Sequence, residues 1–187
     1  MKTPTYEQSV QLDRDWIELK AKLDHGAAQR LIENFNKIHS IAGVRRQHYP
    51  DGEVFEMTLN GDAPENQPLE MVRRDGYTGD WKHSGPKVKG IETRRFKWVA
   101  VGYQPNLEAV RVVLASHGKI PEGQWREAVK QMFEPDGEYP RGVADPSWRG
   151  PSSDADFPCV GRGGVSDFGW AGSGRSGDWR WLVGVSK

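Results

Sequence analysis

Residues 91–103, Ile-Glu-Thr-Arg-Arg-Phe-Lys-Trp-Val-Ala-Val-Gly-Tyr, are the stretch that decides the fold. Their apolar side chains recur with a period of two, which predicts a β-strand. One face of this strand carries Phe96, Trp98 and Ala100, and the other carries Val99, Val101 and Tyr103. Because both faces are bulky, we expect the strand to be central in its sheet.

Strand patterns also occur on either side of this stretch. Residues 44–49 and 53–59 flank Pro50-Asp51-Gly52, whose turn chemistry predicts a β-hairpin. Residues 69–74 are a further candidate strand. Residues 179–185 alternate Trp179, Trp181, Val183 and Val185 with Arg180, Leu182 and Gly184. This last pattern predicts a terminal strand of the same sheet.

Helical periodicity appears in three segments. Apolar residues recur at three- and four-residue spacing over residues 5–23 and 27–42, each followed by a glycine. These segments predict an antiparallel helical hairpin. Pro121 precedes an apolar stripe that predicts a helix over residues 122–133.

Two further segments are less regular. Residues 110–115 fit both a helix and a strand, and their β-branched run favours a strand. Residues 139–177 contain nine glycines and no sustained period. Their interspersed aromatic side chains are costly to leave in water, so we predict an ordered loop.

The sequence therefore predicts an α+β fold. It consists of an N-terminal helical hairpin, a mostly antiparallel β-sheet, one further helix and a long Gly- and Trp-rich loop ending in a strand. The domain boundaries are residues 1–43 for the hairpin and 44–187 for the α+β domain, with one continuous domain over 1–187 as the alternative.

Composition limits the function classes. The chain has 26 basic and 26 acidic residues, so it is neither a polycation nor a polyanion. Cys159 is the only cysteine, which excludes an intramolecular disulfide and a cysteine-based zinc site and favours a reducing compartment. No apolar run is long enough for a signal peptide or a membrane span. We therefore expect a cytoplasmic protein without a membrane partner.

Charge is nevertheless segregated along the chain. Residues 51–70 carry six acidic residues and no lysine or arginine, whereas residues 73–97 carry eight basic ones. Basic groups beside stackable rings are typical of single-stranded nucleic-acid binding. The candidate residues are Arg73, Arg74, Trp81, Lys82, His83, Lys87, Lys89, Arg94 and Arg95. The competing interpretation is that acidic and basic strands pair within one sheet.

The C-terminal tryptophans suggest a different surface. Trp and Arg are enriched at binding hot spots, and a loop can present them to a partner. The candidate partner-binding residues are Trp148, Trp170, Arg175 and Arg180. The alternative is that Trp179 and Trp181 are core residues of the last strand and that Trp148 anchors the loop beneath it.

One closing segment resembles a known family. Arg162-Gly163-Gly164, followed by Trp-Arg-Trp-Leu-Val over residues 179–183, loosely resembles the end of C-type-lectin-like domains of the formylglycine-generating type. In that family an Arg-Gly-Gly element precedes a final strand. The resemblance implies such a strand here and carries over no site residue.

Catalytic and metal patterns are weak. The five histidines have no metal-ligand spacing, and the glycine runs lack the strand, helix and lysine of a phosphate loop. Two sets of residues could still form the site of a small enzyme, which is an alternative interpretation. One is Cys159 with His117, and the other is a cation site of Asp145, Asp154, Asp156 and Asp167. We predict no cofactor and no metal.

We therefore expect a non-enzymatic binding protein that recognises a protein or nucleoprotein partner. A single-stranded nucleic-acid-binding protein that uses residues 73–98 is the first alternative, and a small enzyme is the second. A homodimer is a further partner to consider if an apolar patch is exposed. A small, cysteine-poor, motif-free chain is typical of phage and mobile-element accessory proteins, including inhibitors of host defence complexes.

Overall fold

The computed structural model describes residues 49–135 and 137–186. These residues form a mixed α/β unit with an eight-stranded sheet and three α-helices. Within the same ranges, none of the helices combines the length and the apolar character needed to cross a bilayer. The helical hairpin predicted for residues 1–43 and the domain boundary predicted at residue 44 lie outside the described residues.

The described strands and helices are short, and the last five elements along the chain are all strands. The strands are β1 (Val54–Asn60), β2 (Lys82–His83), β3 (Ile91–Val99), β4 (Arg141–Gly142), β5 (Trp148–Arg149), β6 (Ala155–Val160), β7 (Ser166–Trp170) and β8 (Arg180–Gly184). The α-helices are α1 (Pro68–Arg74), α2 (Leu107–Leu114) and α3 (Trp125–Met132), and a 3₁₀ turn covers Pro64–Asn66.

The sheet confirms the predicted central and terminal strands. Its strand order is β1-β3-β8-β4-β6-β5-β2. β4 and β5 both pair with one edge of β6, and β7 pairs with its other edge. β3 is flanked by β1 and β8, although it ends at Val99 rather than at Tyr103. Among the described strands, only the β4–β8 pair is parallel.

Of the hairpin predicted around Pro50, the structure confirms the turn and the strand that follows it. The Glu53 N–H donates to the Pro50 carbonyl at 3.1 Å, and Gly52 has a φ of +84°, which glycine adopts without strain. β1 follows this turn and pairs with β3. Of the predicted partner strand over residues 44–49, only Tyr49 is described, and it lies outside any strand.

The predicted strand over residues 69–74 is wrong, because this segment is helix α1. Pro68 occupies the first turn, Glu70 follows it, and Arg73 and Arg74 lie in the last turn. These placements suit the helix dipole and satisfy the usual N-terminal preference for proline. A segment of six residues is too short for its apolar period to separate the two structures.

The predicted strand over residues 110–115 is also wrong, because helix α2 covers most of it. Asn106 caps the helix, since its side-chain oxygen accepts the Ala109 N–H at 2.9 Å. Leu107, Val110 and Leu114 then share one buried face. The helical spacing was thus the correct signal, and the β-branched residues were tolerated within it.

The predicted helix over residues 122–133 is confirmed as α3, which begins at Trp125. The predicted loop over residues 139–177 is wrong in part, because it contains β4 to β7. Pro158 lies inside β6, where proline cannot donate to a neighbouring strand. β4 pairs with residues 159–160 of β6 and β5 pairs with residues 155–156, so Pro158 lies in the gap between these two partners. Its carbonyl accepts the Val143 N–H at 3.1 Å.

Helices cover both faces of the sheet and leave β8 buried on both sides. Trp125 and Val129 of α3 belong to the same core cluster as Leu182 of β8. The α2 face packs instead with Trp181 and Val183, whose side chains point away from Leu182. This two-sided burial explains why the closing strand is so rich in large apolar residues.

Candidate functional site

Two large aromatic side chains remain exposed on segments of the chain that are hydrogen-bonded to each other. Trp170 at the end of β7 is 54% exposed, and Tyr103 beyond β3 is 71% exposed. Their segments are joined because Gln104 and Arg175 exchange backbone hydrogen bonds at 3.0 and 2.7 Å. We call the region formed by residues 101–104 and 170–177 the Trp170–Tyr103 surface.

Glycines allow both rings to lie close to the loop. A Cβ atom at position 172 would come within 2.6 Å of the Trp170 ring, and one at position 174 would come within 3.0 Å of the Tyr103 Oη. Real Cβ atoms essentially never come within 3.0 Å of another side chain, so position 172 requires glycine, whereas a Cβ at position 174 would make a tight contact. The glycine spacing of this loop therefore serves the packing of the two aromatic residues.

Arg175 lies beneath the loop rather than on the surface. Only 7% of the residue is exposed, and its guanidinium lies 4.8 Å from the Phe157 ring centroid and 5.4 Å from that of Trp179. Its Nη1 donates to the Gly174 carbonyl at 2.9 Å, and its Nη2 donates to the Trp170 carbonyl. No carboxylate in the described part of the chain pairs with it, and burial lowers the pKa of Arg175.

The other predicted partner-binding residues are also engaged within the protein. Trp148 is fully buried, packs against Phe168, and donates from its indole nitrogen to the Pro68 carbonyl at 3.4 Å. Arg180 pairs with Asp51 at 2.7 Å and lies 3.9 Å from the centroid of the Tyr139 ring. Trp170 is thus the member of the predicted set that remains largely exposed.

The basic segment does not come together as one surface. Lys82 and His83 lie on β2 at one end of the sheet order, whereas Arg94 and Arg95 lie on β3 next to the other end. Trp81 packs with Tyr77 and Phe168. Lys87 and Lys89 are exposed in the connection between the two strands.

Most of the arginines in this segment already face carboxylates. Arg73 pairs with Glu70, Arg74 with Glu127 at 2.5 Å, and Arg94 with Glu92 and Glu122 at 2.5 and 2.6 Å. β1 also pairs with basic β3, which places the one carboxylate of β1, that of Glu56, on the residue opposite Arg95. Burial lowers the pKa of His83, so this residue adds little positive charge at neutral pH.

The residues proposed for an enzyme include a buried thiol, an exposed histidine and an aspartate with hydrogen-bond partners of its own. Cys159 is 4% exposed, and burial raises the pKa of its thiol to about 12. His117 is exposed at the end of α2. Asp145 accepts the Gly123 N–H at 2.8 Å and the Ser147 N–H at 3.1 Å. In residues 49–135 and 137–186, no three His, Cys, Asp or Glu residues cluster as metal ligands.

The Cys159 environment leads to a direct test. We expect the native protein to resist alkylation by iodoacetamide at pH 8, because the reactive thiolate is scarce and the sulfur is enclosed. The same thiol should react fully in urea, where burial is lost. Mass spectrometry of both samples provides the measurement, and rapid modification of the native protein would contradict the described burial.

The sequence interpretation missed Tyr103 as a surface residue. It was assigned to a face of the central strand, but the strand ends at Val99 and Gly102 adopts a φ of +69°. Gly102 and Pro105 bracket Tyr103 and were the available signals for a chain that leaves the sheet.

No protein-family model, curated protein or solved structure matches this chain. The Arg162-Gly163-Gly164 element lies in the turn between β6 and β7, and β8 follows it as the last strand. The likeness to C-type-lectin-like domains is therefore limited to that short segment.

Proposed function

We propose that this protein is a non-enzymatic binding protein that recognises a protein partner through the Trp170–Tyr103 surface. The observation that carries this proposal is the exposure of Trp170 and Tyr103, at 54% and 71%, on two segments that backbone hydrogen bonds hold together. Exposed aromatic groups of this size cost free energy in water and are the residues most enriched at protein interfaces.

The internal contacts of the loop support a preorganised surface. Arg175 ties Gly174 and Trp170 together from below, and the Leu107 N–H joins α2 to the Ala171 carbonyl at 2.9 Å. A loop held in one conformation loses less entropy when it binds. The arginine therefore contributes to recognition indirectly, by positioning Trp170.

Single-stranded nucleic-acid binding receives less support. Phosphate recognition requires available cations, whereas Arg73, Arg74 and Arg94 each pair with a carboxylate. The remaining basic residues lie on β2, on β3 and in the connection between these strands, which are far apart in the strand order. The protein partner that we propose could be part of a nucleoprotein or of a host defence complex. In either case it would carry the surface that binds Trp170 and Tyr103.

The test compares two double variants as bait in affinity capture from the source cell. Trp170→Ala/Tyr103→Ala removes both exposed rings, and Ile91→Ala/Val165→Ala removes two side chains that are 75% and 71% exposed elsewhere. We expect a retained protein to bind the wild type and the control equally. Its affinity for the aromatic variant should fall at least about tenfold, as hot-spot residues predict.

Two outcomes would contradict the proposal. Equal capture by the aromatic variant and the wild type would exclude this surface as the binding site. Binding to a short oligothymidine at low salt, with steep weakening as salt rises, would instead favour the nucleic-acid alternative. Unfolding of each variant in urea checks that the fold is retained.

A further inference from the structure

We infer that the Trp170–Tyr103 surface receives a cationic side chain of its protein partner, an arginine or a lysine. The cation would lie on the indole of Trp170 and face the carboxylates of Asp154 and Asp156. This inference rests on the proposed function and adds the chemistry of the group that is recognised.

Strand register places Asp156 beside Trp170. Asp156 of β6 lies directly opposite Trp170 of β7. The adjacent pair is hydrogen-bonded, because the Ala171 N–H donates to the Ala155 carbonyl at 2.8 Å. Pair types alternate along antiparallel strands, so Asp156 and Trp170 form a close, non-hydrogen-bonded pair with Cβ atoms about 4.5–5.5 Å apart.

The same register continues across β6 to the protein interior. Trp148 of β5 lies opposite Asp156 on the other side of the strand, so all three side chains project from one face. Trp148 is fully buried, whereas Trp170 is 54% exposed. Asp156 therefore lies between the packed interior and the solvent-facing indole, with its carboxylate accepting a hydrogen bond from the Gly150 backbone on the β5 side.

The negative charge of Asp154 and Asp156 is incompletely balanced. Among the described residues, neither Asp154 nor Asp156 forms an ion pair. Burial raises the pKa of Asp156, a hydrogen bond from the Gly150 backbone opposes this change, and neighbouring Asp154 adds to it. Arg149 is close enough to interact, but its Nη1 donates to the carbonyls of Pro146 and Trp148 at 2.5 and 3.0 Å.

Charge complementarity therefore selects the occupant. The face of an indole attracts cations, and a guanidinium can stack on it while its N–H groups reach a carboxylate. A partner carboxylate or phosphate would be repelled by Asp154 and Asp156. An uncharged apolar side chain would use Trp170 but leave the carboxylates without a counter-charge.

The test uses the full chain and the peptide acetyl-Arg-Gly-Arg-amide as the probe. The control peptide carries citrulline in place of each arginine, which keeps the shape and removes the charge. The measurement is the ¹H–¹⁵N NMR signal of the Trp170 indole, assigned by its loss in Trp170→Phe. We expect a saturable shift with the arginine peptide and at least about tenfold weaker binding of the citrulline peptide.

Matched variants separate the carboxylates from general charge. Asp154→Asn/Asp156→Asn should weaken binding of the arginine peptide about tenfold. Glu65→Gln/Glu108→Gln removes the same charge from exposed positions elsewhere and should leave the affinity unchanged. Equal binding of the two peptides, equal binding by the Asp154→Asn/Asp156→Asn variant, or no shift at millimolar peptide would overturn the inference.

The inference and the proposed function can fail separately. If capture depends on Trp170 and Tyr103 while the arginine peptide does not bind, the surface recognises a partner of different chemistry and the inference fails alone. If the peptide binds but capture is the same for the aromatic variant, the cation site exists and the proposed function fails. Loss of capture with Asp154→Asn/Asp156→Asn would support both.

Discussion

Replacing Arg126 with methionine is expected to lower the free energy of unfolding by about 3–5 kcal/mol, because it breaks a buried charge network. Arg126 is 1% exposed and donates to Asp75 at 2.5 Å and to Glu127 at 2.6 Å. It also reaches the Asp167 carbonyl at 3.2 Å. Methionine preserves much of the side-chain volume but leaves two buried carboxylates without this cation.

The carboxylate of Glu127 shows how strongly the network depends on its arginines. Burial alone would raise the pKa of Glu127, but the charge and hydrogen bonds of Arg126, together with Arg74, lower it overall. Its contribution to stability is therefore present above the ordinary glutamate range and is lost as the pH falls through the lowered pKa. Without Arg126, part of this contribution should disappear at neutral pH.

Urea denaturation of the variant and two comparisons provides the measurement. Arg111→Met removes an exposed pair with Glu108 and should change stability by less than about 1 kcal/mol. Adding Asp75→Asn and Glu127→Gln to Arg126→Met should recover part of the loss, because the unpaired charges are then neutralised. A loss below about 1 kcal/mol for Arg126→Met would mean that the network is not buried as described.

Replacing Trp181 with alanine is the second large expected effect, with a loss of about 3–5 kcal/mol. Trp181 is fully buried in β8, stacks on Trp179 at a centroid distance of 5.2 Å, and contacts Phe157 at 5.4 Å. Gly142 of β4 permits this packing because it has no side chain. A Cβ atom at this position would lie 2.6 Å from the Trp181 ring. Alanine would therefore leave a cavity between β4, β8 and α2.

The same substitution at Trp170 is the matched control. Trp170→Ala removes an identical side chain from a position that is 54% exposed, so its effect on stability should be within about 1 kcal/mol. Urea denaturation of both variants measures the difference. Similar losses at the two positions would contradict the difference in burial between Trp181 and Trp170.

Local periodicity was reliable where a segment was long or carried turn residues. The alternation around Phe96 and Trp98 identified the central strand, and the stripe after Pro121 identified α3. It failed over residues 69–74 and 110–115, where a short apolar run fits either structure. In both places the residue at the start of the helix, Pro68 in the first turn of α1 and the N-cap Asn106 of α2, was a better indicator than β-propensity.

The candidate site was less accessible to sequence reasoning than the fold. Trp170 was included in the predicted set, but Trp148 and Arg175 carried the same composition signal and lie inside the protein. Nothing local distinguishes these residues, because exposure depends on which strands cover which faces. The carboxylate beside Trp170 likewise follows from the register of β6 and β7.

By itself, the sequence determined the central and closing strands, the turn before β1 and helix α3, because period and turn chemistry act over a few neighbouring residues. Only the tertiary structure decided β4 to β7 and the fates of Trp148, Trp170 and Trp181. Those strands are short and glycine-rich, so pairing with distant segments defines them. The position of each tryptophan relative to α1, α2 and the sheet edge then decides whether it packs or remains exposed.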